Sequence, residues 1–359
     1  MEKWLFLTPL YLEVRKLVKN LKMNERTYKI VEEFIARRDE LRINVLKSKG
    51  GATVIDCGVE VRGSIEAGVL VTKACLGGLG SVYITNQAYG KLSLPTIHVS
   101  TDYPAIATIG SQMADWEVDI DGYFAMGSGP ARLLAPDRPL PKAVASKKKI
   151  YEEMGYTISD PKEVLERVGY TERSDKAVIV LESQKLPPDA VLLDIAEKCG
   201  VEPNNLYAIV TPTNSITCSV QIAGRVVEVG LHKLGLLGFE FKKAIYGSGS
   251  SPIAPVNPDP VIAMGWVNDV IRYAGTTFYL VDYHDNEELK EFITRTPTAA
   301  SPRYGLSLTV FFEEAKRSFY AIDLGEFSPA VITASNIRDG FTVSAGKIDV
   351  DVLYRILSG

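Results

Sequence analysis

The sequence predicts an α/β fold, because short runs of β-branched residues recur along the chain and helical segments fall between them. Over 24–41 the apolar positions Tyr28, Val31, Phe34, Ile35 and Leu41 return at helical spacing, with Asn24 as a candidate cap. Residues 52–57 and 81–85 read as strands, and the small-residue run 63–75 between them as a packed helix. Further along, 177–181 and 207–210 have the composition of buried strands. A helix over 188–199 lies between them, and a helical segment over 219–235 follows. The tail adds strands at 276–281 and 330–333, a helix near 287–294 and a closing helix over 350–357.

At 359 residues the chain has room for two domains or one large one. With 46% hydrophobic and 23% charged residues it reads as an ordinary globular protein. Its most apolar stretches, such as 177–181 and 208–210, are of strand length, so no membrane span is expected. A net charge of −4 offers nothing to draw the molecule onto nucleic acid. Cys57, Cys75, Cys199 and Cys218 are widely spaced and fit a reducing cytoplasm. Residues 1–22 read as an amphipathic extension, helical from about Tyr11, since Pro9 and Glu13 interrupt the apolar run a signal peptide needs. The stretch 136–149, PDRPLPKAVASKKK, reads as a solvated linker or loop. It marks a candidate boundary between lobes at 23–140 and 141–359, with lobes discontinuous in sequence left open.

Several chemistries lack their sequence marks. GGLG at 77–80 has not the spacing of GxGxxG, and no GxxxxGK[ST] occurs, so a nucleotide cofactor is not expected. His98, His232 and His284 stand far apart in no metal-site arrangement, so no catalytic metal is expected. There is no GxSxG elbow and no cysteine in a papain-like or caspase-like setting. What remains is a non-covalent acid–base enzyme or a ligand-binding protein.

Arg225 and Glu228 are the most informative pair, since on a helix the i, i+3 spacing puts them on one face. Such spacing ordinarily makes a surface ion pair of little energetic value. Here the preceding AIVTPTNSITCS at 208–219 and the intervening Val226 and Val227 predict a pair at least partly withdrawn from water. The block 123–132 joins aromatic residues to a small-residue turn suited to close backbone approach by a ligand. Glu182 and Asp102 stand just past strands, where α/β folds gather ligand groups and where caps and turns are equally common.

Longer blocks carry a resemblance: ATVIDCGV at 52–59, EAGVLVTKACLGGLG at 66–80, DGYFAMGSGPAR at 121–132, LES at 181–183, TPTNSITCSVQIAGRVVEVG at 211–230, SSPIAPVNPD at 250–259, AMGWVND at 263–269 and FYAIDLGEFSPA at 319–330. In identity and order they resemble the methenyltetrahydromethanopterin cyclohydrolases over nearly everything after Met23. The resemblance implies an enzyme that interconverts the N5,N10-methenyl and N5-formyl forms of tetrahydromethanopterin without metal or prosthetic group. It also implies two α/β lobes with a cleft between them, commonly assembled as trimers.

The arginine and glutamate of the family's RVVE motif fall on Arg225 and Glu228, the pair found from spacing. Glu228 is then the general base, its carboxyl raised by burial and lowered by Arg225, which orients it and holds it ionised. Glu182 is the expected partner of the pterin ring, because a carboxylate accepts paired hydrogen bonds from an amino-pyrimidinone edge. Asp102, Ser128, Gly129, Thr213, Asn214, Ser215 and Gln221 are further candidates for the cleft lining. The chain departs from the family pattern before Met23, at 136–149 and in a longer 157–172. A cyclohydrolase for another pterin or folate carrier, and a non-catalytic carrier-binding protein, are the competing readings.

Overall fold

The computed structural model describes residues 20–358; the helix expected from Tyr11 falls almost wholly outside them. In chain order the strands are β1 (Asn44–Lys47), β2 (Thr53–Asp56), β3 (Ser81–Tyr89), β4 (Leu92–Thr101), β5 (Trp116–Ile120) and β6 (Tyr123–Ser128). They continue with β7 (Ala177–Glu182), β8 (Leu206–Thr211), β9 (Ala244–Pro252), β10 (Thr276–Val281), β11 (Val331–Asn336) and β12 (Thr342–Gly346). Two six-stranded mixed sheets result, ordered β1-β2-β8-β7-β6-β5 and β12-β11-β10-β9-β4-β3. Each takes strands from both sides of residue 140, so the proline-rich stretch is not a boundary between the two sheets.

At the centre of the first sheet β2, β8 and β7 run parallel. Every residue of these three strands is buried, as parallel strands covered on both faces require. Ile179 and Leu181 face the helix Asp189–Cys199 through Val191, Leu192 and Ile195. Val178 and Val180 face the other way, toward Val31 and Phe34 of α1 (Met23–Ala36) and Leu70 of α2 (Ile65–Cys75). The second sheet is antiparallel except between β10 and β11.

Several expectations change in detail. Asn24 does not cap the first helix; it lies inside α1, donating to the Pro130 carbonyl at 3.0 Å and accepting from Val178 N–H at 3.0 Å. Residues 142–153 are not a linker but α3 (Lys142–Glu153), which buries Val144 and Tyr151, while Lys147 donates to the Ala321 carbonyl. The block at 123–132 begins as strand β6 and only then turns, at Gly129 with φ +97°. The segment read as one helix over 219–235 is two, α4 (Ile216–Ala223) and α5 (Val226–Leu236), separated at Gly224 and Arg225.

α5 lies against β10, where the Tyr279 hydroxyl donates to the Val227 carbonyl at 2.6 Å. Gly230 admits that contact, since a Cβ there would sit 2.4 Å from the same hydroxyl. α6 (Pro260–Ala274) carries a buried ionic knot: Arg272 donates to Asp269 at 2.7 Å and to the Glu326 carboxylate at 3.1 Å. It also donates to the Glu326 carbonyl at 3.0 Å, fixing the chain around 319–327. Removing one partner of such a knot leaves buried charge uncompensated, so Arg272→Met should cost about 3–5 kcal/mol in urea unfolding. A loss below about 1 kcal/mol would show that these carboxylates find other partners.

Candidate active site

The site grows from the break between α4 and α5. At Gly224 a Cβ would lie 2.5 Å from Thr72 Cγ2 of α2, so glycine is what allows α2 to pass there. Arg225 follows just before α5, its carbonyl accepting from Val229 N–H at 2.8 Å. Its side chain turns inward and reaches four elements, one of them α2 through Cys75 Sγ at 3.7 Å. It donates to Gln221 Oε1 at 3.0 Å, to Ser128 Oγ at 3.0 Å and to the Gln112 carbonyl. Gln112 ends a π-helical segment, Ala105–Gln112, whose Ile109 and Gly110 carbonyls accept from Arg132 at 2.8 and 2.9 Å.

Glu228 sits in the first turn of α5, where the helix N-terminus favours negative charge. Yet among the described residues no hydrogen bond or ion pair reaches its carboxylate, and the contact expected with Arg225 is not made. Burial raises its carboxyl to about 7, with the positive charges of Arg225 and then Arg132 opposing. Desolvation therefore outweighs the cations.

Glu228 lines a largely apolar cavity together with Glu182, Arg225, Asp115 and His232; Met126, Ile222, Met264 and Phe327 are among its apolar walls. Glu182, the last residue of β7, accepts from Thr213 Oγ1 at 2.6 Å; burial raises its carboxyl against that bond and the Arg225 charge. Asp115 answers to the same burial in the opposite way. Arg132 and Arg138 both bond it and outweigh the desolvation, bringing it to about 2. Tyr320 donates to the Ala114 carbonyl at 2.8 Å and stands edge-on to Phe124.

Of the residues singled out in the sequence, Glu182, Arg225 and Glu228 share this cavity. Ser128 and Gln221 hold Arg225, and Thr213 holds Glu182. Gly129 makes the turn out of β6 and donates to the Ser111 carbonyl at 2.8 Å. Ser215 caps α4 by accepting from Cys218 N–H, and Asn214 donates to the Pro258 carbonyl. Asp102 is exposed beyond β4, away from the cavity wall. Asp115, Arg138, His232 and Tyr320 were not anticipated. His232 carried a usable signal, four residues past Glu228 on one helix; Asp115 carried none, because Arg132 and Arg138 reach it only through the fold.

A buried carboxylate without a partner, raised toward neutrality in the wall of a concave apolar cavity, is an arrangement suited to acid–base chemistry on a bound small molecule. The family model described as Cyclohydrolase (MCH) matches residues 22–160 and 155–356. A Methanococcus maripaludis protein named methenyltetrahydromethanopterin cyclohydrolase is 42% identical over 340 residues, covering 94% of this chain and 98% of that one. Proteins of the same name from Methanothermobacter marburgensis and Methanocaldococcus jannaschii are each 40% identical, over 93% and 94% of this chain and 98% of each relative. The chain belongs to the MCH cyclohydrolase family.

The raised carboxyl has a stability signature. Its folded value near 7 lies above the ordinary 4.5, so between these values the folded protein holds a proton that the unfolded chain has lost. Stability from this group is therefore full at low pH and falls as pH rises through that window. Glu228→Gln removes the effect: it should be more stable than wild type at pH 8 by roughly 3 kcal/mol and indistinguishable near pH 4. Urea unfolding at the two pH values checks this; the same difference at both would contradict it.

Proposed function

We propose that this chain catalyses the reversible addition of water to N5,N10-methenyltetrahydromethanopterin, giving the N5-formyl form, with Glu228 as general base. The observation that carries the residue assignment is the unpartnered, burial-raised carboxylate of Glu228 in the cavity wall, and the relatives' shared name supports the substrate.

The methenyl carbon lies between two nitrogens of a cationic amidinium. Water attacks that carbon while Glu228 takes one of its protons, and the neutral adduct collapses with cleavage of the bond to N10. N10 receives a proton from Glu228, the adduct hydroxyl gives up its own, and one proton in all leaves for solvent. No covalent bond to the enzyme and no metal enters the scheme.

Arg225 acts through space in this reading: tied to Gln221, Ser128 and Gln112, it lowers the Glu228 carboxyl without occupying it. Glu182 accepts from the amino-pyrimidinone edge of the pterin, with Thr213 fixing one oxygen. The working form is a cytoplasmic homotrimer. Among the described residues no helix is long and apolar enough to cross a membrane.

The deciding experiment follows the loss of methenyl absorbance with purified protein, methanopterin and folate carriers side by side, and chelator present. Fast decay of the methanopterin form alone, indifferent to chelator, is expected. Decay of the folate form would instead favour the broader carrier reading, and inertness toward both would leave only a binding protein. Glu228→Gln should lose about 10²–10⁴ in kcat. In wild type, kcat/KM should fall about tenfold per pH unit below the carboxyl's value near 7, because the base must be ionised. A flat profile from pH 5 to 8 would remove Glu228 from the role.

A further inference from the structure

The polar side chains of the cavity wall differ in whether the protein itself satisfies them. Asp115 is held by two arginines, Glu182 by Thr213, and Arg225 by Ser128 and Gln221. Tyr320 donates to the Ala114 carbonyl, Asn268 to the Met264 carbonyl, and Arg167 to Ser159 and to the carbonyls of Gly235 and Phe239. Thr157 is exposed. Glu228 and His232 remain: among the described residues neither has a hydrogen bond or an ion pair, and both stand on α5.

Their placement on that helix is regular. α5 faces the cavity with Glu228, Val229, His232, Gly235 and Leu236, a single stripe that runs about 12 Å from Glu228 to its far end. His232 lies one turn past Glu228, with roughly 5–6 Å between Cβ atoms at that spacing. The rest of the stripe beyond Glu228 is apolar, so His232 is the one polar side chain it offers there. The half-buried imidazole faces the cavity without a protein partner, so its ring nitrogens are open to a ligand that enters.

Burial, more than the surrounding charges, keeps the ring neutral. Burial, followed by Lys233, pushes the imidazole down to about 4; Arg167 and Arg132 add to this and Asp115 opposes it. A neutral ring presents one donor and one acceptor nitrogen, and it does not repel a cationic amidinium as an imidazolium would.

We propose that His232 is a substrate-binding residue whose imidazole hydrogen-bonds a polar group of the carrier about one helical turn from the carbon that Glu228 serves. The inference rests on reading the cavity as the cyclohydrolase site, and its test is separable from that reading.

Purified His232→Leu and His232→Gln proteins are compared with wild type in turnover of the methenyl substrate and in calorimetric binding of the formyl product. The leucine variant should raise KM and the product Kd about tenfold while kcat stays within about threefold, and glutamine should restore most of the loss. A merely structural role would lower the melting temperature without this split and without rescue.

The wild-type protein supplies a readout that needs no variant. With three histidines in the sequence, the ring-nitrogen resonances of His232 are readily assigned and must shift when the formyl carrier binds. Unchanged KM and Kd in His232→Leu, a kcat loss at constant KM, or unmoved ring resonances would each overturn the assignment. Absence of methenyl turnover in wild type would overturn the proposed reaction instead, and the binding and resonance data would still decide the role of His232.

Discussion

Everything about this cavity depends on Arg225 being occupied elsewhere. A guanidinium has five donors, and those of Arg225 are drawn to a side-chain amide on α4, a hydroxyl at the end of β6 and a carbonyl at the end of the π-helical segment. Had it closed onto Glu228 as an ion pair, the carboxyl would be held low and its lone pairs filled. Held back, the arginine contributes charge without contact. The irregular segment at 105–112 matters for the same reason, since the carbonyls of Ile109, Gly110 and Gln112 meet the buried Arg132 and Arg225.

One cavity wall thus keeps two carboxyls in opposite states. Asp115 and Glu228 are both withdrawn from water, but two guanidiniums touch the first and none touches the second, and their values stand near 2 and near 7. The same local desolvation produces a permanent anion in one place and a group poised to exchange protons in the other. The difference is set by contacts, not by depth.

The regions of the fold legible in the sequence are those whose residues report burial directly. β7 and β8 are apolar at nearly every position because helices cover both faces, and β10 is read at its full length from β-branched and aromatic residues. β9, with the sequence AIYGSGSSP, resembles a loop and is a strand only because β4 and β10 flank it. At the site, the proximity of Arg225 and Glu228 was legible and the break between their helices was not, since a single glycine is tolerated inside many helices. Lysines in α3 concealed a helix whose buried residues, Val144 and Tyr151, are few and widely spaced.

The order of strands in the second sheet has a consequence for how the protein is made. β3 and β4 form a hairpin within residues 81–101, but the inner edge of β4 is closed by β9, at 244–252. During synthesis at about 5–20 residues per second, that edge waits on the order of ten seconds for its partner. β4 has no Lys, Arg, Asp or Glu to discourage pairing with another nascent chain. The pace of elongation, and whatever shields the hairpin in that interval, therefore bear on how many chains reach the folded state.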